Sequence, residues 1–106
     1  MVADFILSKL ADGEALHLPT IVVTEFLSYK QLTQNDRSFF TDLLAQLHLV
    51  SLDYSIATLA ADLRREYTLK LGDSVIAATA IVTRSSLVTR NVKDFSEIKQ
   101  LNVEAL

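Results

Sequence analysis

Three short stretches of this 106-residue chain place carboxylates where they could do chemistry. "LKLGDSVIAATAIVTR", residues 69–84, carries a lone acid, Asp73, at the mouth of an apolar, helix-like run. "TIVVTEFLSYKQL", residues 20–32, carries Glu25 on the margin of an apolar helical face. "LVTRNVKDF" sets Asn91 and Asp94 just beyond a short strand-like run, and ligands of parallel α/β sheets gather at the carboxyl ends of strands. The chain has no cysteine and two histidines. His17 and His48 lie in or beside apolar segments without metal-ligand spacing, and they read as core or surface histidines. Carboxylates gathered in such a setting suit a hard cation, Mg²⁺ or Mn²⁺, which takes oxygen ligands. The chemistry expected of that site is metal-assisted phosphoryl transfer.

Each acid also has a plainer explanation. Asp73 follows Gly72 and could cap a helix by accepting from free backbone N–H groups. On a wheel of 100° per residue, however, Asp73 shares a stripe with Ala77, Ala80 and Arg84, where a ligand or another backbone can approach closely. Glu25 is flanked by Ile21, Tyr29 and Leu32, so it needs either a cationic partner or an outward reach to solvent or Lys30. Asn91 or Asp94 could simply cap the short helix that follows.

The elements that must position these groups alternate. Val2, Phe5, Ile6, Leu7 and Leu10 recur at helical spacing, with Gly13 placed as a C-terminal cap. "EALHLP" predicts a strand stopped by Pro19, after which Thr20 caps a second helix. A third helix is expected over residues 35–47, then a strand at "HLVSLD". Asp53 or Ser55 caps the helix "SIATLAADLRREY", and the Asp73 helix follows. "SLVTRN" reads as a strand, "KDFSEIKQL" as a short helix and "NVEAL" as a last strand. Short apolar strands separated by helices argue for an α/β domain of three layers, with one short parallel sheet covered on both faces.

Composition narrows the function further. Half the residues are apolar and 22% are charged, which disfavours disorder and leaves apolar surface for a dimer face or a partner. A net charge of −3 means that any nucleic-acid contact is local. No run is long enough to span a membrane and the N-terminus lacks a signal-peptide pattern, so a cytoplasmic protein is expected. Two glycines exclude a P-loop or a dinucleotide fingerprint, and there is no G-x-S-x-G elbow.

Together, "LPTIVVTEFLSY", "LKLGDSVIAATAI" and "LVTRNVKDF" with "LNVEAL" resemble the PIN-domain family, and within it the VapC-type toxins of prokaryotic toxin–antitoxin pairs. The resemblance covers essentially the whole chain, residues 1–106. It implies a compact α/β/α domain acting as a metal-dependent endoribonuclease, commonly a homodimer, inhibited by an antitoxin whose C-terminal segment fills the active-site groove. It further implies Glu25 and Asp73 as ligands of Mg²⁺ or Mn²⁺, Asn91 or Asp94 in the fourth acidic position, and Thr89 as the hydroxyl beside it. A metal-activated water would then attack an RNA phosphodiester.

The family opens with a central strand ending in Asp, which residues 1–4 do not supply, since Asp4 begins a helix. The expectation is therefore a PIN-like domain without its first strand and first metal ligand, weak or inactive as a nuclease, with the gap open to a strand from another protomer. The competing expectation is a non-catalytic remnant that acts by dimerisation or antitoxin binding alone.

Overall fold

The computed structural model describes residues 2–106, with side chains from Asp4 onward. The chain falls into two compact units, Met1–Ser51 and Leu52–Leu106.

The N-terminal unit begins with α1, Val2–Ala11. Its end is a Schellman turn: Glu14 N–H donates to the Lys9 carbonyl at 3.1 Å and Gly13 N–H to the Leu10 carbonyl at 3.0 Å. Gly13 holds φ +79, the left-handed conformation that this turn requires of it. Strand β1, His17–Pro19, runs directly into α2, Thr20–Leu27. Thr20 is thus the first residue of the helix and not its cap. Pro19 takes the cap position with φ −63 and contributes no side-chain bond, because its fixed φ suits both the strand it ends and the helix it starts.

Helix α2 stops five residues short of the expected end. The Ser28 hydroxyl bonds back to the Thr24 carbonyl at 2.6 Å, and Leu32 N–H closes a turn on the Tyr29 carbonyl. Helix α3, Gln34–Leu44, opens with a capping box that the sequence reading missed. Asp36 N–H donates to the Thr33 hydroxyl at 3.0 Å while the Asp36 carboxylate accepts from Thr33 N–H at 3.1 Å. Phe26 and Phe40 stack with ring centroids 4.0 Å apart, joining α2 to α3. Strand β2, His48–Val50, closes the unit.

The C-terminal unit opens with α4, Tyr54–Tyr67, capped by Asp53, which accepts from Ile56 N–H at 2.9 Å. Thr68, at φ 55, turns the chain sharply into α5, Leu71–Thr83. The two helices pack along one another. Helix α4 offers Ile56, Ala60 and Leu63 at i, i+4 and i+7, while α5 buries Ser74, Val75, Ala77, Ala78, Thr79 and Ala80. So many small residues let α5 sit deep in its unit. Its two buried hydroxyls are satisfied within the helix, Ser74 on the Leu71 carbonyl and Thr79 on the Val75 carbonyl. Strand β3, Leu87–Thr89, the four-residue α6, Val92–Phe95, and strand β4, Val103–Ala105, complete the unit.

The fold is α/β and its strand pairing is parallel, as expected. Instead of one sheet, each unit carries a two-stranded pair: His17 to Pro19 lie beside His48 to Val50, and Leu87 to Thr89 beside Val103 to Ala105. Parallel neighbours need a crossover, supplied by α2 and α3 in the first pair and by α6 in the second.

Candidate functional site

Asp73 is the third residue of α5, because the helix starts at Leu71 with Lys70 as its cap residue and no side-chain capping bond. The reading of Asp73 as a helix cap is therefore corrected: Gly72 and Asp73 are both helical. An acid in a first turn still complements the positive end of the helix dipole. Its carboxylate, however, takes no hydrogen bond or ion pair from any described residue. Asp73 is half-buried, and below it on the same stripe Ala77 and Ala80 are buried. The small-residue stripe is thus internal packing surface that fixes the base of Asp73, leaving the carboxylate itself available.

At the end of β3 the backbone is set by a side chain. The Thr89 hydroxyl accepts from Asn91 N–H at 3.0 Å, and the Thr89 carbonyl accepts from Leu106 N–H at 3.0 Å. Thr89 is half-buried, while Asn91 and Asp94 are exposed. Asn91 precedes α6 without making a side-chain cap, and Asp94 stands inside α6. The capping explanation therefore fails for both side chains. This turn holds Thr89 and Asn91 together and presents a free carboxylate three residues on.

Glu25 lies near the end of α2 and is exposed. The ion pairs among the described residues are Lys9 with Glu14 at 3.4 Å and Arg65 with Asp62 at 3.0 Å. Glu25 is in neither, so the expected cationic partner and the pairing with Lys30 are both absent among the described residues. Water solvates an exposed carboxylate without either.

Two further groups emerge from the geometry. The segment "LRREY" behaves as a solvated face beside a core contact: Leu63 is buried, Arg64 donates to the Leu69 carbonyl at 3.3 Å, and the end of α4 lines a shallow open groove with Ala61, Arg65 and Thr68. His17 and His48, set aside on their sequence spacing, are register partners with ring centroids 5.4 Å apart. No signal in the sequence gives that register.

The donors fit a hard divalent cation in kind, since Asp73, Asp94 and Glu25 offer unengaged carboxylate oxygens. Among the described residues, no group of three or more Asp, Glu or His side chains is gathered to hold a metal ion. Mg²⁺ typically keeps several waters and takes only one or two carboxylates, with substrate phosphates completing its shell. A site of that mode would use one or two of these acids.

Comparison with known proteins follows the same line. The family profile described as PIN domain matches residues 1–101. A toxin–antitoxin complex from Klebsiella pneumoniae contains a chain 28% identical, with TM-score 0.71, over 91% of this chain and 89% of that one. The VapBC2 complex from Rickettsia felis, bound to a DNA fragment from its promoter, contains a chain 25% identical, with TM-score 0.80, over 94% of this chain and 81% of that one. No curated protein sequence matches.

Proposed function

The chain belongs to the PIN-domain family, and from that premise we propose that it is the toxin-side nuclease domain of a toxin–antitoxin pair, acting on RNA phosphodiesters. The observation that carries the reading is Asp73: a half-buried acid at the head of a buried helix, with no capping bond and no cation to account for it. Asp73 and Asp94 are the acids that would hold Mg²⁺ or Mn²⁺ in the C-terminal unit, and Glu25 is an acid of the same chemistry in the N-terminal unit. Bound there, such a cation would supply the positive charge that an anionic phosphodiester requires. Thr89 acts on the backbone, holding the turn that presents Asn91 and Asp94.

On this reading one or two acids and the RNA phosphates hold the cation together, so cation binding should strengthen when RNA is present. The partners proposed are an antitoxin protein and a second copy of the chain, in the cytoplasm. No helix among the described residues is long and apolar enough to cross a membrane.

A second reading has its own support. Each unit carries large apolar side chains at least half exposed, Phe39 and Leu49 in the first and Tyr54 and Leu71 in the second, and such side chains suit association. Under it the chain binds antitoxin or itself without catalysis. The deciding experiment is calorimetric titration of Mn²⁺ into this chain and its Asp73→Asn variant, with and without a short RNA, alongside RNA cleavage in the same buffers. RNA-strengthened binding that the variant loses supports the nuclease. Binding unaffected by the substitution overturns the role of Asp73, and no binding in any arm leaves association as the function.

A further inference from the structure

We propose that His17 and His48 form a second metal site, separate from the carboxylates, for a borderline divalent transition cation of the Zn²⁺ class. The two residues are far apart in sequence and each is alone among apolar neighbours. Parallel pairing makes them direct register partners, His17 on β1 beside His48 on β2. In-register residues of adjacent strands stand about 4.8 Å apart and project to the same face. The rings meet that expectation, with centroids 5.4 Å apart and planes inclined by 31°.

That separation is what one shared cation requires. A tetrahedral zinc ion about 2.0–2.1 Å from one nitrogen of each ring holds the two ring centres roughly 5 Å apart. Rotation about χ2 lets one nitrogen of each ring turn toward a common point. An imidazole ligand uses a single nitrogen and keeps the other for a hydrogen bond that orients the ring, so ligation does not require either histidine to give up its other contacts. Both residues are exposed, which gives a hydrated ion access. The described residues gather no third acid or histidine at the pair, so water completes the coordination.

Donor chemistry separates this site from the acids. Imidazole favours zinc, nickel and copper, while carboxylates free of nitrogen partners favour magnesium and manganese. A cation bound here ties β1 to β2 and with them the two ends of the N-terminal unit's crossover. Since the unfolded chain does not hold the two rings together, binding stabilises the folded unit by mass action.

The test is thermal unfolding and calorimetric titration with Zn²⁺ on the whole chain, on His17→Gln, on His48→Gln and on Asp73→Asn, with circular dichroism to verify that each variant is folded. One zinc per chain is expected, with a rise in Tm that saturates with binding. Either histidine substitution should weaken affinity roughly tenfold or more. Mg²⁺ at the same concentration should give no rise that depends on the histidines. Zinc affinity that survives both histidine substitutions, or that is lost with Asp73, overturns the site and places the cation among the acids instead.

Discussion

Of the fourteen apolar residues that the described chain buries, Phe40 and Leu43 belong to the N-terminal unit and the other twelve to Leu52–Leu106. The C-terminal unit is organised around α5, which is buried on most of its circumference. In the N-terminal unit α2 has no buried residue, and Leu7, Phe26, Tyr29, Phe39 and Leu49 stand exposed. The contrast lies in the core and not in exposed apolar surface, since Leu52, Tyr54, Leu71, Val82 and Leu106 of the C-terminal unit stand exposed as well. Under the proposed function Asp73 holds a cation, and such a carboxylate needs a rigid base, which the packed stripe of Ala77 and Ala80 provides. Apolar side chains that meet a partner must remain uncovered, and both units offer such side chains.

The sharpest way to break the contrast is to hollow each unit in turn. Ile98, 2% exposed, has no room to retract, so Ile98→Ala should destabilise by about 2–5 kcal/mol in urea unfolding. Leu18→Ala, in the half-buried strand β1, should cost clearly less than Ile98→Ala, since part of that side chain already meets water. Equal losses would mean that the N-terminal unit relies on its core as much as its neighbour does.

Hydrogen exchange tests the same difference without substitution. Amides of Ala77 to Ala80 in α5 should exchange only through global unfolding, whereas those of α2 should open locally and faster. The order should persist at every denaturant concentration below the transition. Reversed protection would place the rigid frame in the N-terminal unit, which carries Glu25.

A smaller effect distinguishes how the N-terminal unit holds its helices. With few buried side chains, α3 depends on its ends, and the Thr33 and Asp36 capping box satisfies two donors reciprocally. Thr33→Ala should therefore cost about 1 kcal/mol, within the usual range for a lost cap. The loss should show first as fraying of α3 by exchange at its opening amides.

Much of this was legible before any coordinates. Helical periodicity located α1, α3 and α4, and Gly13 marked a true left-handed stop, because the Schellman turn is a local event encoded by local residues. Asp53 was one of two candidates for the α4 cap, and its side chain is the one that bonds. The start of α5 was misplaced because Gly72 and Asp73 are turn-formers by local preference. Packing of the following buried residues pulls both into the helix, and an acid in the first turn is favourable there. The two separate strand pairs and the His17 and His48 register were out of reach, since periodicity says which residues form a strand but not which strand lies beside it. Glu25, Asp73, Asn91 and Asp94 stand out in the sequence by residue type, and Thr89 enters only through the family resemblance. That Thr89 serves the backbone of its turn, and that Asp73 takes no capping bond, are geometric facts with no sequence signal.

The smallest expected stability change carries the most functional information. Asp53 and Asp73 both stand at the start of a helix in the same unit, yet only Asp53 accepts a backbone hydrogen bond. Asp53→Ala should destabilise by about 1 kcal/mol, because Ile56 N–H loses its partner. Asp73→Ala removes no hydrogen bond and only a favourable charge near the helix N-terminus, a contribution of roughly 0.3–1 kcal/mol that salt screens. At 0.5 M salt the Asp73 loss should fall well below the Asp53 loss in thermal unfolding, while Mn²⁺ binding in the presence of RNA should disappear with Asp73 and survive without Asp53. An acid kept at a helix start for its capping bond would give the opposite pair of results: a salt-resistant loss of stability at Asp73 with the cation still bound. The two substitutions therefore separate an aspartate that builds the fold from one that the fold holds ready for a ligand.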